Sequence, residues 1–213
     1  MADTSVTAQA VIDSSIARAK DPNKSQWADA QLLIFLNKAY DYVHKLLIKL
    51  QSELVVTSAS VNMVATTQEY ELATSLPDFW GMADNGVFFA GLGIPLDPVA
   101  YEDKIRTKST VTSTSMPAPT MYYVTATHLG VIPIPAVASV TSYPALTCRY
   151  FKANTALALG TAMPYKNLFN EPIAVFMDHA ALIKTSENTG ELTALYNALE
   201  TSTLDIAKRR SPT

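Results

Sequence analysis

Along residues 27–50, WADAQLLIFLNKAYDYVHKLLIKL, apolar side chains recur every three or four positions. Leu32, Leu33, Leu36, Ala39, Tyr40, Val43, Leu46, Leu47 and Leu50 fall on one face at about 100° per residue, and Phe35 and Tyr42 widen that arc. Gln31, Lys38, Asp41, Lys45 and Lys49 line the opposite face. The spacing predicts a long amphipathic helix, with Ser25 as its cap and Asp29 in the first turn complementing the helix dipole. Two residues interrupt the polar face, Ile34 and Ile48. They stand roughly 21 Å apart on the same side of the helix. A single apolar surface residue needs no explanation. An aligned pair on a charged face suits a neighbouring subunit, so Ile34 and Ile48 are candidate subunit contacts.

The rest of the chain divides by the same signal. Residues 3–20 predict a shorter helix, with Ala8, Ile12, Ser15, Ile16 and Ala19 in phase, ended by Asp21-Pro22-Asn23. After Glu53 the period changes. Residues 54–63 are rich in Val, Ser and Thr, residues 68–72 alternate, and together they predict a hairpin. Residues 86–89 predict another strand, 94–100 an extended stretch around Pro95 and Pro98, and 101–106 a short helical turn. Residues 107–120, TKSTVTSTSMPAPT, have no period and read as a loop. Residues 121–125 and 129–134 predict paired strands with a turn at 126–128. In 145–151, Leu146, Cys148 and Tyr150 alternate with Thr147 and Arg149 as in a half-buried strand. Pro133 and Pro135 push their region toward a sheet edge. Helical spacing returns after Asn170, a candidate cap, with Pro172 in the first turn. Ile173, Phe176, Met177, Ala180 and Ile183 form one stripe, Asn188-Thr189-Gly190 breaks it, and Leu192, Leu195, Tyr196, Leu199 and Ile206 form the next.

The expected class is therefore α+β: mainly a helical bundle from the N- and C-terminal helices, with an inserted antiparallel β-rich lobe. The expected organisation is a single domain over 1–213, with N-terminal helices at 1–53, the β-rich insertion at 54–160, and C-terminal helices and tail at 161–213.

Composition narrows the chemistry. Charged residues make up 16% of the 213, below the roughly 25% of an ordinary soluble domain. Such a surface either meets other protein or is solvated through Ser and Thr. The net charge of −3 leaves no basic footprint for duplex recognition. A single cysteine, Cys148, excludes an intrachain disulfide and a Cys-based zinc site, and its place in a predicted strand makes it a small core residue. The first residues lack the basic and apolar regions of a signal peptide, and no run of about 18 apolar residues occurs, so a soluble protein within a cell or an assembly is expected.

His44, His128 and His179 show neither HExxH nor ligand spacing, and adjacent Asp178 and His179 point apart on a helix. All three histidines read as structural. Gly91-Leu92-Gly93 lacks the rest of a dinucleotide fingerprint. Neither GxxxxGK(S/T) nor GxSxG appears, and Glu102-Asp103 reads as a solvated pair. Tyr70, Tyr101, Tyr122, Tyr123, Tyr143, Tyr150 and Tyr165 fall in the β-rich half, where too few Lys or Arg intervene for base stacking, so sheet packing is expected. No catalytic residue, metal or cofactor is expected. Lys208-Arg209-Arg210, the basic cluster near the C-terminus, is either a frayed end or an anchor for an acidic partner surface.

Several motifs in order resemble the head-to-tail adaptor (connector) family of tailed bacteriophages. Trp27-Ala28-Asp29, then Leu32-Leu33 and Phe35-Leu36-Asn37-Lys38-Ala39, resemble the family's opening helix. Gln68-Glu69-Tyr70-Glu71-Leu72 leading to Pro77-Asp78-Phe79 follows, with Ala73 to Leu76 intervening where many members run almost directly into the proline. Pro95-Leu96-Asp97-Pro98-Val99 with Tyr101-Glu102-Asp103 is similar to a PL-x-PVSYED segment. Tyr122-Tyr123, Ile132-Pro133-Ile134-Pro135 and Tyr150-Phe151-Lys152 complete the series, which covers about residues 27–198. The resemblance implies a structural virion protein, made in the host cytoplasm and placed at the head-tail junction. It implies a ring, commonly of twelve copies, between the portal protein and the tail or nozzle proteins. Genomic DNA would pass through its channel without sequence-specific binding. It also makes residues 204–213, with Lys208, Arg209 and Arg210, a candidate portal contact, and 107–120 a candidate tail-facing or inter-subunit loop. The alternatives are a tail-tube or stopper protein, for which a β-dominated fold is expected, a small hydrolase, and a non-viral helical interaction module.

Overall fold

The structure, a computed structural model, describes residues 6–18, 27–103, 118–183 and 189–208. In chain order the helices are α1 (Ala8–Arg18), α2 (Asp29–Lys49), α3 (Leu72–Ser75), α4 (Val137–Ser142), α5 (Asn170–Ile183) and α6 (Thr189–Lys208). The strands are β1 (Val56–Asn62), β2 (Glu69–Glu71), β3 (Phe79–Phe89), β4 (Asp97–Pro98), β5 (Met121–Val124), β6 (His128–Ile132) and β7 (Ala145–Lys152). The class is α+β, with sheets that are antiparallel apart from one short pair. The chain forms two compact units: Met1–Leu54 with Asn154–Thr213, and Val55–Ala153. The second crossing between units thus falls at residues 153 and 154, against the expected 160.

In the first unit α2 packs on α5 and α6, α5 packs on α6, and α1 packs on α2 and α5. The stripe read from the sequence is the reason. Leu32, Leu36, Ala39, Tyr40, Val43, Leu46 and Leu47 of α2 are buried, as are Ile173, Phe176, Met177 and Ala180 of α5. Ser15 on α1 adds a polar tie, its hydroxyl donating to the Asp178 carboxylate on α5. Three details depart from expectation. The cap position belongs to Ala28, whose N–H donates to Gln31 Oε1 at 3.3 Å; Ser25 lies three positions upstream, outside the described residues. Leu33 is only half-buried. Leu50 is 43% exposed, because α2 stops at Lys49 and the chain turns at Gln51 with φ 53°.

The second unit holds two sheets, in the orders β1-β7-β3 and β2-β6-β5-β4. The pair β5–β6 forms as expected, Met121 opposite Ile132 through Val124 opposite Leu129. The hairpin expected of residues 54–72 does not form: β1 pairs with β7 and β2 with β6. Both strands alternate as predicted, but Val61 and Tyr70 fill one core from different sheets. The parallel pair β4–β5, only Asp97 and Pro98 long, is the exception to the antiparallel pattern. Pro133 and Pro135 follow β6, an inner strand of its sheet. They end that strand, having no N–H to continue it, and do not mark an edge. Residues 137–142, to which the sequence reading assigned no element, form α4. The turn expected at 101–106 appears as a 3-10 turn at Tyr101–Asp103, and most of the 107–120 loop lies outside the described residues.

β3 runs longer than the strand expected at 86–89. Its register shifts between Met82 and Val87, and Gly86 sits in that shift. A Cβ there would stand 2.6 Å from both Ala83 O and Arg149 O, so only glycine fits. Inward rows from the two sheets meet in a single core. Val61, Val87, Phe89, Leu146, Cys148 and Tyr150 come from one sheet, and Tyr70, Tyr122, Leu129 and Val131 from the other.

Two consequences are measurable. On the four-stranded sheet the Tyr123 ring crosses Gly130, and its hydroxyl donates to Glu69 Oε1 at 2.7 Å. A Cβ on residue 130 would stand 2.0 Å from Tyr123 Cζ. Gly130→Ala is expected to displace the ring and cost about 1–3 kcal/mol, read as a lower urea midpoint at unchanged slope. Burial also pushes the Cys148 thiol up from 9.0 to about 12. A group whose pKa is raised on folding stabilises fully below its unfolded value and loses that contribution as pH rises toward the folded one. Stability should therefore fall between pH 9 and 12, with a shallower fall in Cys148→Ala; identical slopes for both proteins would refute the assignment.

Candidate interaction surface

On α2 the residues Asn37, Tyr40 and His44, spaced i, i+3, i+7, form one line that holds the returning chain. Asn37 uses both ends of its amide on Leu157. Its Oδ1 accepts from Leu157 N at 2.7 Å, and its Nδ2 donates to Leu157 O at 3.1 Å. Two turns on, His44 Nδ1 is hydrogen-bonded to the Tyr165 hydroxyl, and the Tyr40 ring lies 5.8 Å from that of Tyr165. Burial raises the pKa of Tyr40 and of Tyr165, with Tyr40 adding to the rise at Tyr165. Tyr165, assigned from sequence to the β-rich half, therefore belongs to the helical unit, where it begins the 3-10 turn Tyr165–Asn167 with φ 58°.

The opposite side of α2 carries a groove. Gln31, Ile34, Phe35 and Lys38 of α2, Phe176 and Ala180 of α5, and Leu192 and Tyr196 of α6 line a cavity of about 300 Å³. Its floor is aromatic: Tyr196 lies 4.8 Å from Phe176 and 4.9 Å from Tyr42, centroid to centroid. The Tyr42 hydroxyl donates to Glu200 Oε2 at 3.0 Å. The Lys38 ammonium sits 5.8 Å from the centroid of the Phe35 ring, within cation–π range. Ile34 stands at the rim, 55% exposed. Ile48 is half-buried, so the two isoleucines are not equally presented. Lys208 is exposed at the end of α6, and Arg209 and Arg210 lie outside the described residues.

Among the described residues, no three His, Cys, Asp or Glu side chains gather in a group able to hold a metal ion. No helix among them is long and apolar enough to cross a membrane. His128 binds the Thr127 hydroxyl at 2.8 Å and His179 the Val175 carbonyl at 2.8 Å, so the three histidines stand apart in three settings. No protein-family model matches the chain, and no curated protein does. What the surface offers is an apolar groove with a polar rim, a form suited to contact with another protein.

Sequence reading missed Asn37 and His44 as a linked pair. The available signal was their polarity beside a stripe of buried apolar residues, since buried polar groups require partners. Asn37→Ala strands the N–H and C=O of Leu157 and is expected to cost about 2 kcal/mol. Chemical denaturation should report that loss, and Asn37→Asp, which keeps the acceptor for Leu157 N–H, should recover part of it.

Proposed function

We propose that the protein is a structural ring component of a tailed-phage head-to-tail junction, without catalytic activity. In this reading the four long helices form a bundle and the β-rich unit is a lobe inserted into it. The ring lies between portal and tail, extends the DNA channel and offers the tail a docking surface. The ordered motifs along residues 27–198 support it, as does a charge content low for a solvated monomer.

The observation that carries it is Ile34, exposed beside an apolar groove on a helix whose core-facing stripe is already buried. Ile34 is then the principal subunit contact and Ile48 contributes its outer half. Lys208, Arg209 and Arg210 are the candidate portal contact. Twelve copies are the expected ring order.

Electron microscopy and native mass spectrometry of the chain mixed with its portal test the reading. Rings, or about a dozen copies added per portal, are expected; a monomer that ignores the portal would sink it. Ile34→Asp should leave monomer stability within about 0.5 kcal/mol while impairing ring formation. Ile34→Asp with Ile48→Asp should impair it further, and an unfolded Ile34→Asp monomer would make that residue core instead.

A further inference from the structure

Four strands edge the two sheets, and three of them are blunted. β2 is three residues long and carries Glu69 and Glu71. β4 is two residues and includes Pro98. β3 has shifts in register, and its outer side is occupied where Phe89 N donates to Ile94 O at 3.0 Å and Leu96 N to Val87 O at 2.8 Å. Short length, charge, proline and bulges are the usual devices that stop a sheet edge from recruiting another strand.

β1 has none of them. It is seven residues, Val-Thr-Ser-Ala-Ser-Val-Asn, with no charge, proline, glycine or bulge. Among the described residues it pairs with β7 alone, and no other segment hydrogen-bonds to it. Its outward row of Ser58, Ser60 and Asn62 is exposed, while Ala59 and Val61 face the core. In a lone chain water solvates the backbone donors and acceptors on the outer side of β1, with α3 packed nearby; the protein partner that matches such a row is an extended strand.

The strand also reads nearly the same in both directions. Antiparallel pairing centred on Ala59 sets Ser58 opposite Ser60, Thr57 opposite Val61 and Val56 opposite Asn62 of a second copy. Hydroxyl meets hydroxyl, branched meets branched, and no like charges face each other, which is what a self-complementary two-fold contact requires. We propose that β1 pairs with β1 of a second copy of this chain, joining two three-stranded sheets into one of six strands.

This inference does not rest on the ring. A two-fold strand contact and a rotational ring contact have different symmetry and use different units of the chain, so either can fail without the other.

Sedimentation across a concentration series, without portal, tests it. A discrete dimer is expected. Ser58→Lys with Ser60→Lys places lysines opposite lysines on an exposed row and should weaken dimerisation by about tenfold or more with the thermal melt unchanged. A second measurement covers the case in which that variant unfolds. Ser58→Cys chains mixed with Ser60→Cys chains should oxidise to a mixed disulfide faster than either alone, because the register places 58 against 60. Cys148, fully buried, stays out of that reaction. A monomer at about 1 mM, a dimer indifferent to a folded lysine pair, or disulfide formation without preference for the mixed pair overturns the proposal.

Discussion

The structure depends on the pairing of the first and last strands of the β-rich unit. β1 and β7 run antiparallel from Val56 opposite Phe151 to Asn62 opposite Ala145. The chain leaves the helical unit at Leu54 and returns at Asn154. Closing an excursion of about a hundred residues costs on the order of 4 kcal/mol in chain entropy. The β1–β7 ladder meets that cost within the excursion itself, because the strands at its two ends are neighbours. The returning chain is then placed by α2: the Asn37 amide fixes Leu157, and His44 with Tyr40 fixes Tyr165. These two constraints act with the packing of α1 on α5 and of α2 on α5 and α6 to make one helical unit from two distant stretches of sequence.

The second constraint gives α2 more than one function on its surface. Its apolar stripe is spent on α5 and α6, and the Asn37–His44 line on the returning chain. That leaves the side bearing Ile34. An isoleucine that remains largely exposed after folding gains little from folding, since the unfolded chain exposes it too. Its burial is therefore still available to association. The aromatic floor of the adjoining groove, Phe176 and Tyr196, is held by core contacts within the unit and needs little further ordering when a partner arrives.

What was legible in the sequence was what local periodicity encodes. The α2 stripe, the α5 stripe, the β5–β6 pair and the alternation of β7 all follow from side chains within a few positions of one another. What was not legible depends on distant partners. The alternation of residues 54–63 and 68–72 says that each is a strand but not which strand it joins, so the expected hairpin dissolved into two sheets. The front of β3 has poor strand propensity: Gly81 is held extended by its pairing with Phe151 of β7, while Asp84 and Asn85 lie in the register shift without a partner in β7, Asn85 with φ 49°. Tyr165 looked like one more sheet tyrosine until His44 placed it. The exposure of Ile34 was readable because it lies opposite a complete stripe, a local property, and that of Ile48 less so because its surroundings are set by tertiary packing.

The low charge content takes on a particular form once the strands are placed. Residues 54–68, 85–96 and 129–148 contain no Asp, Glu, Lys or Arg, and they supply β1, the end of β3, most of β6 and the start of β7. Backbone hydrogen bonds join them: Met63 N to Pro144 O, Thr66 N to Pro135 O and Ala90 N to Ala145 O, at 2.8–3.0 Å. The uncharged character is therefore concentrated in the β-rich unit, with one further uncharged stretch at residues 154–165 of the helical unit, while α2 keeps its Lys38, Asp41, Lys45 and Lys49. A neutral region of this kind cannot be steered by long-range fields and does not repel a copy of itself. Its contacts must come from shape, backbone pairing and apolar area, which are the terms that the open β1 edge supplies.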